Sequence, residues 1–203
     1  MAVGMSTEAA GMSTAPGIVR FRIDAARSRF TVRAFAGGML SALGHNPTIS
    51  IREFSGVAQF VPDTLDSASI RMVIKPDSFT VADDVSDKDR QEIEKKMREE
   101  VLETSRYPEI TYESTTITSN KIFGFQYRVT INGKLSLHGV TRDHTVIAQV
   151  IVSEDRLRAS GEFTLRQTDY GIRLVSAAGG TIKLKDELKF SFDIVANREA
   201  SES

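Results

Sequence analysis

Residues 127–152, YRVTINGKLSLHGVTRDHTVIAQVIV, alternate apolar and polar side chains over most of their length. Phe125, Tyr127, Val129 and Ile131 share one side, and Gln126, Arg128, Thr130 and Asn132 take the other. Leu135 and Leu137 continue the pattern up to His138-Gly139, and it resumes from His144 to Val152. A side-chain period of two is that of a β-strand, so the stretch reads as antiparallel sheet with one buried face. Such a sheet must pack on a second layer or close on itself. The choice decides whether the interior is a filled core or a pocket.

Strand signals recur on both sides of this stretch. Residues 18–23 and 30–35 read as a first pair, and residues 49–61 as a long strand with a bulge or bend at Gly56. Ile70, Met72 and Ile74 alternate with Arg71, Val73 and Lys75. Further strands are expected over residues 110–118, 123–132, 133–137, 145–152, 156–166 and 180–196, the last divided by a turn near Asp186. About eight to ten strands result, with no βαβ alternation that would give a parallel sheet. The fold class is therefore all-β and antiparallel. A barrel of about eight strands has room for its own side chains or for one small ligand.

One inserted α-helix is expected over about residues 86–103. Ser86 and Asp89 form a capping pattern at its start. Ile93, Met97 and Val101 recur at spacing four, with Leu102 beside them, and the rest of the surface is charged. Such a stripe either docks the helix on the body of the domain or lids the mouth of a pocket.

At 203 residues the chain reads as one domain over residues 18–197, with a disordered leader at 1–17 and a frayed tail at 198–203. Met5 and Met12 are alternative starts. The 26 basic and 27 acidic residues leave a net charge of -1, which gives no global field for nucleic acid or an anionic membrane. There is no cysteine, so disulfides, thiolate metal sites and cysteine nucleophiles are excluded. No signal peptide and no membrane-spanning segment is recognised, and the expectation is a cytoplasmic protein without integral membrane association. A homodimer is compatible with these features.

Catalytic signatures are absent. No serine sits in a Gly-x-Ser-x-Gly elbow, and no catalytic residue is assigned. The three histidines are His45, His138 and His144, and no metal site or cofactor is expected from them. His138 is read as fixing a turn, and His144 as an exposed or half-buried strand residue. His45 lies in GGMLSALGHNP, where glycines permit close backbone approach. It and Asn46 either satisfy loop amides or meet a ligand head group at a pocket mouth. Arg90, Met97, Arg166 and Asp169 are further candidates for that rim, although Arg166 and Asp169 also read as a pair bracing a turn.

Phe30, Val32, Phe54, Phe60, Met72, Ile74, Tyr112, Tyr127, Val129, Leu137, Phe163, Leu165, Leu184, Phe190 and Phe192 all fall in inward phase. Their apolarity does not distinguish a filled core from a pocket; without the resemblance below, the sequence favours the filled core.

The run Leu135-Ser136-Leu137-His138-Gly139-Val140-Thr141-Arg142 resembles the signature of the YceI-like proteins. Tyr107-Pro108-Glu109-Ile110-Thr111-Tyr112-Glu113-Ser114 and Asp169-Tyr170-Gly171-Ile172 agree with it in order, as does the opening FRIDAARSRFTVRAF with Asp24 and Ser28. The resemblance runs from about residue 18 to 197. It implies a lipocalin-like barrel that binds a long isoprenoid, such as a quinone or polyprenyl lipid, and so favours an open interior lined by the residues above. Two departures lie near the rim: the longer charged helix containing Arg90, Ile93 and Met97, and the segment from Ala42 to Asn46.

The leading expectation is a non-enzymatic carrier or sequestering protein for an isoprenoid or similar amphiphilic lipid. The alternatives are a hydrolase or isomerase using His45 with a nearby carboxylate, and a structural homodimerisation module with a filled core.

Overall fold

The computed structural model describes residues 17–37, 46–174, 176–177 and 182–200. His45 and most of the segment Ala42 to Asn46 lie outside the described residues.

The chain rises into the wall through segments that each break once. β1 (Val19–Ile23) and β2 (Arg29–Arg33) are separated by a 3-10 turn, Ala25–Arg27. Asp24 caps that turn by accepting from the Arg27 amide. Ser28 Oγ donates to Asp24 O and accepts from the Val195 amide at 2.9 Å, so the break is stitched to the neighbouring strand rather than left open. After β3 (Ala36–Gly37), β4 (Thr48–Ser50) and β5 (Phe54–Phe60) are likewise two parts of one run, as are β6 (Ser69–Ile74) and β7 (Thr80–Val81).

The expected strand at 49–61 thus breaks at 51–53, not at Gly56. β5 pairs with β6 without interruption from Phe54↔Ile74 to Gln59↔Ser69. A Cβ on Gly56 would stand 2.6 Å from Arg71 O and 2.8 Å from Ile23 Cδ1, so glycine serves there for space rather than for bending.

The helix α1 (Asp87–Lys96) starts at Ser86, whose Oγ accepts from the Asp89 amide and donates to the Asp89 carboxylate at 2.7 Å. It passes into a π-helical turn, Met97–Val101, closed by the Leu102 amide donating to Met97 O at 2.9 Å. The wider i→i+5 spacing keeps Met97, Val101 and Leu102 on the face begun by Ile93.

Long strands complete the wall: β8 (Ile110–Phe123), β9 (Gln126–Leu137), β10 (Val140–Val152) and β11 (Arg156–Arg166), then β12 (Ser176–Ala177), β13 (Ile182–Leu184) and β14 (Glu187–Arg198). The two strands expected over 123–137 are one. Gly133 does not end β9: it pairs with Ser114 and His144, and the ring of Tyr112 fills the space a side chain there would occupy. Phe125 leaves the inward phase: it stands at the tip of the β8–β9 hairpin, 65% exposed.

Eight strands close a ring in the order β1-β5-β6-β8-β9-β10-β11-β14, with β14 returning to β1. Every neighbouring pair in that ring is antiparallel. One edge of β14 serves two partners: Ala196 to Arg198 pair with β1, and Lys189 to Asp193 pair with β2. β2, β4 and β7 therefore form a flange that continues the wall beyond the closed ring. Its last strand, β7, would carry an open edge, which α1 satisfies with side chains. Glu94 Oε1 accepts from the Val81 amide at 3.0 Å, and Arg90 donates to Val81 O and, at 3.0 Å, to Asp83 O. A small sheet, β12-β13-β3, lies beside the flange.

The interior holds two apolar clusters. At the ringed end Phe21, Phe60, Leu65, Tyr127, Val129, Ala148, Val150, Leu157 and Ala196 pack together, with the Phe21 and Phe60 rings stacked at 5.4 Å. A larger cluster at the flanged end contains Phe30, Ile49, Ile51, Phe79, Leu135, Leu137 and Leu165. Ile23, Ile131 and Phe192 touch both.

Candidate functional site

The flanged half of the barrel is not filled. It encloses a cavity of about 310 Å3, within the usual size range of small-molecule sites, which starts at about 300 Å3. The flange supplies Phe30, Val32, Ala34, Ile49 and Ile51, and the turn between β6 and β7 supplies Phe79. Leu135 and Leu137 from β9, Phe163 and Leu165 from β11, and Leu188 and Phe190 from β14, the strand paired with β2, continue the lining. The Phe163 and Phe190 rings stack with centroids 4.8 Å apart and planes 2° from parallel. These two rings and Leu188 point inward yet are only partly buried, because they face empty space rather than packed atoms.

The fourth side is the apolar stripe of the helical segment: Ile93, Met97, Val101 and Leu102 all line the cavity. The stripe is therefore cavity wall as well as docking surface. It is tied down at its far end by Glu103, whose Oε2 lies 2.7 Å from His138 Nε2 in the β9–β10 turn. The Tyr107 ring packs on that imidazole at 4.5 Å. His138 does serve the turn, since its φ of 51° and Gly139 at 75° place both in the left-handed region. Its ring nitrogen nevertheless reaches the helix exit, not the turn backbone.

Among the described residues, two polar side chains line the cavity, Lys96 and Gln167. Lys96 is near Glu92 at 3.7 Å, and the buried Gln167 donates through Nε2 to Lys185 O at 3.0 Å. Gln167, Tyr170 and Ile172 are held by a 3-10 turn that Asp186 braces. The Asp186 carboxylate accepts from the Thr168 amide at 2.8 Å and hydroxyl at 2.6 Å, and from Arg166 Nε at 2.9 Å. The Thr168 hydrogen bonds, followed by the Arg166 guanidinium, hold it below the ordinary carboxylate range.

Of the fifteen interior residues expected from phase, Phe30, Val32, Ile74, Leu137, Phe163, Leu165, Leu184 and Phe190 line the cavity. Phe54, Met72, Tyr112 and Phe192 pack in the cluster around it without lining it. Phe60, Tyr127 and Val129 belong to the filled end. Alternation places a residue inside but does not say at which height the interior is full.

The rim candidates divide further. Met97 lines the cavity, and Asn46 is exposed. Arg90 is committed to the β7 backbone rather than to a rim. Arg166 pairs with Asp186 and not with Asp169, which instead stands 3.8 Å from Arg142. The phase argument missed Ile49, Ile51, Phe79 and Ile172, which sit in or beside the strand breaks and turns where period-two reasoning stops.

Among the described residues no three His, Asp or Glu side chains gather as metal ligands. No helix among them is long and apolar enough to cross a membrane. The described lining is thus an apolar chamber with one lysine and one amide, a chemistry suited to a hydrocarbon chain.

Known structures share this architecture. BcnA of Burkholderia cenocepacia superposes with a TM-score of 0.65 at 18% identity, over 85% of this chain and 98% of its own. A polyisoprenoid binding domain from Saccharophagus degradans, implicated in plant cell wall breakdown, gives 0.63 at 15% identity over 88% and 98%. The Campylobacter jejuni YCEI protein gives 0.56 at 16% over 75% and 85%. At these identities the likeness is one of fold. No curated protein matches the sequence. The model of the YceI-like domain, however, matches residues 21–196, from the stacked Phe21 to the buried Ala196 of the closing strand, so the chain belongs to the YceI-like domain family.

Proposed function

We propose that the protein binds a long-chain isoprenoid or a similar amphiphilic lipid in the flanged half of the barrel, and carries or sequesters it without chemical change. The observation that carries the reading is the cavity itself: about 310 Å3 walled by apolar side chains from the barrel and from α1. A buried space of this kind forgoes packing energy in the free protein, and a hydrocarbon chain restores those contacts. The printed description of the Saccharophagus degradans domain as polyisoprenoid binding supports the ligand class. Family membership likewise supports a binding role over a catalytic one.

Magnitudes are adequate for such a carrier. At about 0.3 kcal/mol per heavy atom, a chain of about 20 carbons gains about 6 kcal/mol, a Kd of tens of micromolar without any ionic contact. The cavity stands at the small end of the usual range, which favours a chain of modest length or one that leaves part of itself outside. Organic extraction of the purified protein followed by mass spectrometry tests the reading. The expected result is a co-purifying prenyl or acyl lipid near one equivalent. Repeated extraction without lipid, together with no uptake of added prenol, would overturn it.

A further inference from the structure

β10 and β11 are paired over only four positions, from Gln149↔Ser160 to Val152↔Leu157. Both strands run on past that point, each held by its other neighbour: β10 by β9 as far as Val140↔Leu137, and β11 by β14 as far as Arg166↔Glu187. Beyond Gln149 and Ser160 the pairing ends; Gly161 still lies against β10, where a Cβ would stand 2.5 Å from Ile147 O, and past that contact the wall is an unzipped seam. A polar groove opens along it on the outside, lined among others by Arg142, His144, Thr164 and Tyr170. Leu165 lines both this groove and the apolar cavity.

His144 stands in the seam. It lies opposite Gly133 on β9, and its ring meets Phe163 edge-on with centroids 5.0 Å apart. Phe163 in turn lines the cavity. Among the described residues, the Nε2 of His144 is the one buried side-chain nitrogen or oxygen without a hydrogen-bond partner. Such an atom forfeits its hydration unless something supplies a partner. Nothing else in this neighbourhood does so. The Tyr112 hydroxyl donates to the carbonyls of Ile131 and His144, both at 3.1 Å, not to the ring.

We propose that His144 is the receptor for the ligand's polar end: the chain lies in the apolar cavity and an uncharged hydroxyl or carbonyl group lies in the β10–β11 seam, hydrogen-bonded to His144 Nε2. The inference rests on the carrier reading above and adds the chemistry of the head group. The charge balance of the groove selects that chemistry. Its three cations, Lys134, Arg142 and Arg166, face three carboxylates, Asp143, Asp169 and Glu187. Lys134 is bonded to Asp143 at 3.0 Å, Arg142 stands 3.8 Å from Asp169, and Arg166 is bonded to Asp186. Among the described residues no uncompensated cation of the groove is left to favour a phosphate or carboxylate head. A neutral imidazole, by contrast, donates or accepts at Nε2 according to its tautomer, so either a hydroxyl or a carbonyl satisfies it. Burial pushes the His144 pKa down, which keeps the ring neutral at physiological pH.

The test is displacement of a fluorescent apolar probe, N-phenylnaphthylamine, from the full chain by dodecane, dodecanol and dodecyl phosphate. Wild type is expected to prefer dodecanol over dodecane about three- to tenfold, the usual worth of one neutral hydrogen bond, with no gain for the phosphate. H144F is expected to bind dodecanol no better than dodecane while its dodecane affinity is kept, and H144Q is expected to recover part of the preference. Equal binding of dodecanol and dodecane to wild type, a preference that survives H144F, or tightest binding of dodecyl phosphate would each overturn the proposal. The wild-type series decides the matter even if H144F fails to fold. Failure of all three ligands and of the probe would instead overturn the carrier reading, so the two failures are distinguishable.

Discussion

His138 Nε2 and Glu103 Oε2 lie 2.7 Å apart and join the exit of the helical segment to the β9–β10 turn. Both residues hold positive φ, 51° for His138 and 45° for Glu103, so two strained backbone positions converge on one side-chain contact. With Glu103 partly exposed, the contact is expected to be worth about 1 kcal/mol. Glu103→Ala should therefore speed hydrogen exchange of the α1 amides about fivefold and leave the amides of β9 and β10 unchanged. Equal acceleration in barrel and helix would show that the contact serves global stability instead of anchoring the helix.

Met97→Lys places a charge on the stripe that walls the cavity. Met97 is only partly buried and faces the cavity rather than packed core, so the melting temperature should fall by only a few degrees. Uptake of a prenol, followed by tryptophan-independent probe displacement, should weaken at least about tenfold, because the ammonium must stay hydrated beside the chain. Unchanged uptake would remove the stripe from the binding surface.

His144 makes stability depend on pH in a defined direction. Burial lowers its pKa in the folded protein below the ordinary 6.5. The unfolded chain therefore takes up the proton first, and stability present above pH 6.5 is lost as the pH falls below it. Urea unfolding between about pH 7.5 and about pH 5.5 should show a decline of at most about 1.4 kcal/mol per pH unit, flattened in H144F. The carboxylates Asp186 and Asp193, whose pKa values are lowered from 3.8 by hydrogen bonds from Thr168 and Arg158 respectively, act only at more acid pH.

Tyr112 gives the matching alkaline effect. Burial pushes its hydroxyl up to about 12 from 10.0. The folded protein keeps the proton where the unfolded chain loses it, so stability is complete below pH 10 and is lost as the pH rises towards 12. Tyrosinate absorbance should show a late-titrating phase near pH 12 that Tyr112→Phe removes. The same variant loses the two bonds to Ile131 and His144 carbonyls, a cost of about 1–2 kcal/mol.

Alternation made the wall legible. From Tyr127 to Leu137 every second side chain does point inward, because pleating fixes the direction irrespective of what lies opposite. Height along the barrel was not legible, since Tyr127 and Leu137 share a phase yet one packs in the filled end and the other faces the cavity. Ile49, Ile51 and Phe79 were hidden for a different reason: they flank breaks, where backbone direction depends on pairing across distant segments. Glu94 reads as part of a solvated helix face and Arg90 as a rim candidate, and both instead complete the edge of β7, a contact with no periodic signature. The His138–Glu103 contact spans 35 positions and left no local trace either.

The stacked rings of Phe21 and Phe60 stop the barrel at one end. The molecule is accordingly a cup and not a pipe. For the carrier proposed above, a ligand that enters through the flanged half leaves through that half, so a donor and an acceptor would have to take turns at the same face of the protein.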